Sequence, residues 1–176
     1  MESEINLLNA ARTMDPDALV KIFDRYAPIV FKYALRLCGD PVLSDHIVGD
    51  VFVNLLDQFS LGSGPKSNLR SYLFQTALHL VINEVRYSHT RTPLETATAL
   101  AKDKRATDRS LESRLLYKHV LRVIQNELTD DQRYVITLRF FEGLSIRATA
   151  AITGKTIANV KVIQNRAITA MQRSIA

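Results

Sequence analysis

The C-terminal end of this chain lacks acidic side chains. Between Leu144 and Ala176 there is no Asp or Glu, whereas basic residues recur at Arg147, Lys155, Lys161, Arg166 and Arg173. Each Lys or Arg placed against a phosphate of a nucleic acid releases a condensed counterion, which favours binding. We therefore expect this end to bind a polyanion. A basic, solvated helix in an ordinary helical bundle is the alternative interpretation.

Cysteine, tryptophan, glycine and proline are also scarce, with one, none, six and five residues respectively. The single Cys38 excludes an internal disulfide, and we expect it to be a buried, small apolar residue. No apolar run approaches the ~18 residues of a membrane span. The acidic N-terminus does not resemble a secretory signal. We therefore expect a cytoplasmic protein that is mostly helical and does not insert into membranes.

Catalytic and metal-binding patterns are missing as well. The segment Gly62-Ser63-Gly64 lacks a following Lys-Ser/Thr and a preceding strand, so it is not a phosphate-binding loop. Asp45 and Asp50 are five residues apart and would diverge by about 140° around a helix. The histidines follow no ligand spacing: His46, His79, His89 and His119. We predict no enzymatic activity, no cofactor and no metal site.

Charge and hydrophobic periodicity divide the chain into three parts. Residues 1–87 hold 8 basic and 10 acidic side chains, residues 88–110 hold 5 and 3, and residues 111–176 hold 10 and 5. Helical apolar stripes fill the first and last parts, and no alternation typical of strands is present. We predict an all-α protein with an N-terminal helical domain at 1–87, a flexible linker at 88–110 and a C-terminal helix-turn-helix domain at 111–176.

Turn and capping signals favour the helix-turn-helix unit. Thr129 and Gln132 form a capping box that starts a helix reaching about Phe141. Glycines then end helices and hydroxyl residues start the next ones, at Gly143, Ser145, Gly154 and Thr156. On the last helix an inward stripe should pack on the core, formed by Val160, Ile163 and Ala167. Another side could read a DNA groove, with Lys161, Val162, Asn165 and Arg166.

Similar signals predict the other helices and the side chains of the core. In the N-terminal half we expect helices capped by Asp15, Ser44 and Asn68, and a kink or break at Pro28. The inward stripes include large side chains from both halves: Phe23, Leu56, Leu115, Leu116 and Phe140.

Three segments, in order, resemble the extracytoplasmic-function sigma factors of bacterial RNA polymerase. They are FDRYAPIVFKYALRLCGDPVLSDHIVGDVFVNLLDQF, NLRSYLFQTALHLVINEVR and ELTDDQRYVITLRFFEGLSIRATAAITGKTIANVKVIQNRA. The resemblance covers nearly the whole chain. It implies a bundle similar to sigma region 2, a helix-turn-helix domain similar to region 4, and a role as an RNA polymerase sigma factor that directs promoter-specific transcription initiation.

The resemblance also implies partners and contact residues. The helix after Gly39-Asp40 would dock on a coiled coil in the largest subunit of core RNA polymerase. Its contacts would be Asp45, His46, Asp50 and Asn54. The following loop would capture a flipped base of the promoter −10 element, with Lys66, Ser67, Asn68, Arg70 and Tyr72. The last helix and the turn before it would bind the −35 element of promoter DNA through Lys155, Thr156, Asn159, Lys161, Val162, Asn165 and Arg166. An anti-sigma factor is a further expected partner.

The chain departs from the usual pattern of that family at several positions. Gly49-Asp50 stands where Gln-Glu is usual, and Gly49 costs roughly 1 kcal/mol of helix stability relative to Ala. His46 changes a charge on the docking face. Ala148-Thr149-Ala150 replaces the usual Glu-Ile-Ala, so Ser145 lacks a reciprocal capping carboxylate. These departures indicate a divergent member with an unusual promoter preference.

Two other functions are consistent with the sequence. A stand-alone helix-turn-helix transcriptional regulator that no longer docks on polymerase would bind DNA by itself, usually as a dimer. A helical interaction protein without nucleic-acid function would not need Lys161 and Arg166. The aspartates of the helix after Gly39-Asp40, and the polar loop that follows this helix, favour the sigma factor over both alternatives.

Overall fold

The computed structural model describes residues 4–88 and 111–175, which form helices and short connections without a strand. The all-α class is therefore confirmed. These residues divide into two compact units, one made of residues 4–35 and 42–88 and the other of residues 36–41 and 111–175. Apart from Ser88, the predicted linker lies outside the described residues. The domain bounds at 1–87, 88–110 and 111–176 therefore stay predictions.

The N-terminal part of the chain forms α1 (Glu4–Arg12), α2 (Pro16–Cys38), α3 (Pro41–Ser60) and α4 (Leu69–Ser88). The core of this unit is built on large, fully buried side chains from three of these helices. Tyr33 of α2 and Phe74 of α4 stack with their ring centroids 4.5 Å apart, and Ile47 of α3 is equally buried. Burial of such side chains supplies the main favourable free energy of the fold.

Helix α1 was not predicted from the sequence. It buries Leu7, Leu8 and Ala11. Burial raises the pKa of the Tyr26 phenol on α2, and the Glu4 carboxylate of α1 raises it further. This short helix therefore completes the first unit through a few apolar contacts, which its composition alone did not reveal.

The starts of α2 and α3 show one correct and one wrong prediction. Asp15 caps α2, because its carboxylate accepts a hydrogen bond from the Ala18 N–H at 3.0 Å. Ser44 does not cap α3, which begins at Pro41 and buries Ser44 completely. Proline suits the first turn of a helix because its missing N–H would have no partner there, so it moves the start of α3 by one turn.

Pro28 does not break α2, which runs unbroken from Pro16 to Cys38. Proline removes the hydrogen bond to the carbonyl four residues before it, here that of Asp24. Pro28 and Asp24 are both exposed, whereas Tyr26 and Val30 are buried and hold the helix on the core. Of the predicted kink or break, the break is therefore wrong, and the kink stays a prediction.

The C-terminal unit contains α5 (Leu111–Asn126), α6 (Asp130–Ile136), a π-helical turn (Thr137–Phe141), α7 (Ile146–Thr153) and α8 (Ile157–Ile175). The described residues of this unit form two core clusters. One joins Ile124 and Leu128 to Ile136 and Ala167. The other consists of Val135, Ala150 and Val160. Helix α8 contributes to both clusters, so the core of this unit fixes its rotation.

Some large apolar side chains predicted to face inward are exposed instead. Phe140 is 58% exposed, because the π-helical turn adds one residue to the helical period. In this turn the Glu142 N–H donates to the Thr137 carbonyl, five residues earlier, at 3.0 Å. Four other side chains predicted to face inward are also exposed: Phe23, Leu56, Leu115 and Leu116. Phe23 still contacts Phe52 of α3, with the ring centroids 4.8 Å apart. Cys38 is only partly buried.

Candidate nucleic-acid interface

The starts of α6 and α7 match the predicted capping signals. Thr129 Oγ1 accepts a hydrogen bond from the Gln132 N–H at 3.4 Å, and Gln132 Oε1 accepts one from the Thr129 N–H at 3.1 Å. Ser145 Oγ accepts from the Ala148 N–H at 3.0 Å. The capping box and the first cap of the helix-turn-helix are therefore confirmed.

The turns between these helices are as tight as the sequence indicated. Gly143 and Gly154 have φ angles of 67° and 66°, in the left-handed region that favours glycine. Thr156 Oγ1 accepts a hydrogen bond from the Asn159 N–H at 3.1 Å and caps α8. Helices α7 and α8 therefore follow one another as a helix-turn-helix pair.

Helix α8 presents one apolar and one polar side. Val160 and Ala167 are fully buried, and Ile163 packs against the second core cluster. The predicted DNA-contacting side chains of α8 are all exposed: Asn159, Lys161, Val162, Asn165 and Arg166. Guanidinium, ammonium and amide groups on one side of a helix can donate hydrogen bonds to base edges and phosphates. The predicted orientation of α8 is confirmed, and the DNA contacts stay predictions.

Beside this polar side lies a shallow cavity of about 420 Å³. Asn165 and Arg166 line it together with Thr169 and Arg173 of α8 and Gln132 of α6. Positions 166, 169 and 173 are three and four residues apart, so these side chains share one stripe of the helix. The basic side of α8 therefore continues toward its C-terminal end, beyond the predicted DNA contacts.

Arg139 ties the π-helical turn to α8. Its Nε donates to Gln164 Oε1 on α8 at 2.9 Å, and its Nη1 donates to the Leu144 carbonyl in the turn before α7. Sequence reasoning missed this residue, because nothing in the local pattern distinguishes a bridging arginine from a solvated one. Arg139 therefore positions the polar side of α8 without belonging to it.

Lys155, one of the predicted contacts to the −35 element, is already in an ion pair. Its Nζ lies 2.8 Å from Asp131 Oδ2, and the two side chains are 22% and 53% exposed. Asp131 belongs to the first turn of α6, so the pair joins α6 to the turn between α7 and α8. Any phosphate that Lys155 contacts would therefore lie close to a carboxylate.

The predicted −10 loop connects α3 and α4. Its first part is held to α3, because the Ser63 N–H donates to the Gln58 carbonyl at 2.8 Å and Ser63 Oγ donates to Gln58 Oε1 at 2.9 Å. The candidate contacts lie along the second part and the start of α4. Lys66, Ser67 and Asn68 are exposed, whereas Arg70 and Tyr72 are partly buried.

Arg70 is oriented by an aromatic ring. Its guanidinium carbon lies 5.2 Å from the centroid of the Phe74 ring, within the range of a cation–π contact. Phe74 is fully buried, so it belongs to the core and cannot stack on an unpaired base. The loop thus offers exposed polar groups next to a guanidinium whose direction is fixed.

The predicted polymerase-docking residues lie on one exposed side of α3. His46, Asp50 and Asn54 are four residues apart and Asp45 adjoins the first of them, and all four side chains are exposed. A cavity between α3 and α4 brings Asp45, His46 and Asp50 together with Glu84. Asn54 does not line it, and Glu84 was not among the predicted residues.

Two classes of feature are not found in the part of the chain that the structure describes. Within residues 4–88 and 111–175, no group of His, Cys, Asp and Glu side chains is placed to hold a metal ion. Among the helices described there, none has the length and apolarity to cross a bilayer.

Comparison with known proteins relates both units to one family. A model described as sigma-70 region 2 matches residues 22–91, and one described as sigma-70, region 4 matches residues 126–173. Together they cover more than half of the chain. The chain therefore belongs to the sigma-70 family, among the extracytoplasmic-function sigma factors that its sequence resembles.

Individual relatives agree with this family. The ECF RNA polymerase sigma factor BldN of Streptomyces coelicolor is 26% identical over 172 residues, which are 96% of this chain and 64% of BldN. SigX of Bacillus subtilis is 23% identical over 157 residues, 86% of this chain and 80% of SigX. Among solved structures, the sigma factor RpoE in complex with the anti-sigma factor NepR from Bartonella quintana has a TM-score of 0.72 at 20% identity, covering 88% of this chain and 94% of RpoE. At that identity the likeness shows the fold alone.

Proposed function

We propose that this protein is a promoter-specificity subunit that binds core RNA polymerase and promoter DNA and directs transcription initiation. The main support is helix α8. The core fixes its rotation, its exposed side holds Lys161, Asn165 and Arg166, and no acidic residue follows Leu144. Such a helix enters the major groove with its polar side toward the base edges, here at the −35 element.

The first unit supplies the other contacts of this proposal. Asp45, His46, Asp50 and Asn54 on α3 dock on the coiled coil of the largest polymerase subunit, and the loop from Gly62 to Arg70 holds a flipped base of the −10 element. Extruding a base costs a few kcal/mol of stacking, which the exposed polar groups of the loop and the fixed Arg70 guanidinium help to offset.

The proposal includes the location and the regulation of the protein. It acts in the cytoplasm, where core polymerase and promoter DNA are found, and it needs no catalytic group of its own. An anti-sigma factor holds it inactive, as the complex of RpoE with NepR suggests by analogy. The exposed apolar side chains of α2 and α3, among them Val20, Phe23 and Val53, offer surface for such a partner.

Charge reversal on α8 tests the proposal. Replacing Lys161 and Arg166 together by Glu should abolish transcription that depends on the −35 element, because two phosphate or base contacts become repulsive. Binding to core polymerase should be nearly unchanged, since neither residue lies in the first unit. The measurements are in vitro transcription with reconstituted holoenzyme and a core-binding titration.

A matched control uses two exposed basic residues of α5. Lys118→Glu with Arg122→Glu makes the same charge change on exposed positions of α5 in the same unit, and it should retain most of the transcription that depends on the −35 element. If the α8 double variant still transcribes from the −35 element, α8 is not the reading helix. If it loses core binding, the two units do not act separately as proposed.

A further inference from the structure

The connection between α3 and α4 runs from Leu61 to Asn68, and its first half is fastened to the last turn of α3. The Gly62 N–H donates to the Phe59 carbonyl at 2.9 Å. The Ser63 N–H donates to the Gln58 carbonyl at 2.8 Å. With Gly62 in the left-handed region at φ 71°, these two bonds form a Schellman motif, which ends a helix in one defined direction. The chain therefore leaves α3 along a fixed path.

Gly64 then brings the backbone onto the ring of Phe59. A Cβ at position 64 would lie 3.1 Å and 3.2 Å from two carbons of this ring and 3.3 Å from the Gln58 Cβ. Phe59 is 2% exposed, so its ring belongs to the close-packed core and has little room to move. The φ angle of Gly64 is 91°, which residues with a Cβ rarely adopt. Space and backbone therefore both require glycine here.

The exposed candidate base contacts of the loop lie between this contact and a second fixed point. Leu69 at the start of α4 is 1% exposed, and the Asn68 carbonyl accepts a hydrogen bond from the Tyr72 N–H at 3.2 Å. Pro65 fixes its own φ angle and restricts the residue before it. The stretch Lys66–Asn68 is therefore short and is held at both ends.

We propose that Gly64 and Phe59 are positioning residues that set the −10 loop, before DNA binds, in the shape in which it receives the flipped base. This inference rests on the proposed function and deepens it, because neither residue is among the predicted base contacts. A loop that is already ordered loses less conformational entropy on binding. It also holds its donors and acceptors in place, so that a base with a different edge leaves them unpaired.

The property that tests this role is base discrimination by full-length protein reconstituted with core polymerase. Labelled single strands carry the −10 sequence of a promoter found by sequencing transcript starts, with each base in turn at each position. Fluorescence anisotropy gives the affinity of the holoenzyme for each strand. Base discrimination is the ratio of the affinities for the preferred base and for the best of the others. This ratio does not depend on the fraction of folded protein.

Alanine at two glycines separates the ring contact from backbone strain. Gly64→Ala and Gly62→Ala both place a Cβ on left-handed backbone, and each should lower the melting temperature by about 4 °C or more. Only Gly64→Ala meets the Phe59 ring, because nothing lies within 4 Å of a Cβ at position 62. Gly64→Ala should therefore shift the loop and reduce base discrimination by about fivefold or more, which is about three times the loss expected for Gly62→Ala.

A second substitution tests whether the ring is the cause. Phe59→Leu removes the outer carbons of the ring that a Cβ at position 64 would meet. Gly64→Ala combined with Phe59→Leu should therefore regain about twofold or more of the lost base discrimination. The double variant should nevertheless unfold at a lower temperature than Gly64→Ala, because a large core side chain has become smaller. Residues that served stability alone would show no such recovery.

Two serines provide a test that leaves the backbone unstrained. Ser63→Ala removes the hydrogen bond of 2.9 Å from Ser63 Oγ to Gln58 Oε1 and should reduce base discrimination by about twofold. Ser60→Ala is the matched control, because Ser60 Oγ donates to the Asp57 carbonyl at 2.8 Å and lies before the loop. This control should discriminate between bases as the unsubstituted protein does.

The outcomes separate this role of Gly64 from the proposed function. If the unsubstituted holoenzyme directs no transcription or prefers no base at the −10 element, the proposed function is wrong. If it prefers one and Gly64→Ala loses no more discrimination than Gly62→Ala, Gly64 does not position the loop. Failure of Phe59→Leu to restore discrimination would lead to the same conclusion. If Gly64→Ala does not fold, unchanged discrimination in Ser63→Ala decides against the positioning role.

Discussion

Replacing Asp131 by Asn tests whether Lys155 contacts DNA. Lys155 Nζ lies 2.8 Å from Asp131 Oδ2, so a phosphate bound by Lys155 would lie about 6 Å from the carboxylate. Two like charges at that distance repel by about 0.7 kcal/mol in a water-like dielectric, and salt at ~0.1 M reduces this by almost half. Asp131→Asn should therefore strengthen binding to promoter duplex by about two- to threefold.

The same substitution should weaken the fold slightly. An ion pair as exposed as this one contributes about 0.2–1 kcal/mol. Asp131 also lies in the first turn of α6, where a negative charge interacts favourably with the helix dipole by about 0.3–1 kcal/mol. We therefore expect the free energy of unfolding to fall by roughly 0.5–2 kcal/mol while DNA affinity rises.

Fluorescence anisotropy with a labelled promoter duplex measures the affinity for DNA. A series of salt concentrations gives the salt dependence of that affinity. A Lys155 released from Asp131 should steepen the dependence of log affinity on log salt by up to about 0.9. Asp130→Asn is the matched control, because Asp130 lies in the same turn and its carboxylate is 3.4 Å from Arg133 instead of Lys155. In a Lys155→Ala background the gain from Asp131→Asn should shrink, since the two residues then no longer interact.

Two results would refute this reasoning. Equal gains from Asp130→Asn and Asp131→Asn would show that only the charge of the α6 terminus matters. Weaker duplex binding by Asp131→Asn would show that the ion pair holds the turn between α7 and α8 in place, so that Lys155 is a positioning residue and not a DNA contact.

Two further predictions concern the core and the −10 loop. Thr137→Val should stabilise the protein by about 1 kcal/mol, because among the described residues the buried Thr137 Oγ1 has no hydrogen-bond partner; a lower melting temperature in thermal unfolding would contradict this. Lys66→Ala with Asn68→Ala should impair open-complex formation more than closed-complex binding, because both side chains are exposed beside the proposed base site. If DNA footprinting shows equal losses of open-complex formation and of closed-complex binding, this loop does not hold the −10 base.

Features that depend on a few neighbouring residues could be predicted from the sequence. The caps at Thr129, Ser145 and Thr156 are examples, because a helix start is decided by hydrogen bonds within three residues. The polar side of α8 is another, since the spacing of Val160, Ile163 and Ala167 already indicates which side of the helix faces the core. Local chemistry was sufficient at these positions, but not at Ser44, because Pro41 starts α3 one turn earlier.

Features that depend on distant packing could not be predicted in the same way. Helix α1 has only Leu7, Leu8 and Ala11 to bury, too few to form a recognisable stripe. Leu115 and Leu116 fit the inward stripe of α5 but are more than half exposed. Periodicity shows which side chains share a side of a helix, whereas burial depends on whether another helix covers that side.

The π-helical turn shows how one irregular turn shapes the interface at α8. A regular α-helix through Thr137–Phe141 would keep the side chains of this segment on the stripe that begins in α6. The wider turn exposes Phe140, and in this turn Arg139 bonds both to Gln164 and to the Leu144 carbonyl. A guanidinium is suited to this role because its rigid fork can serve two acceptors at once. The orientation of the polar side of α8 therefore depends on Arg139 as well as on the apolar stripe of α8 itself.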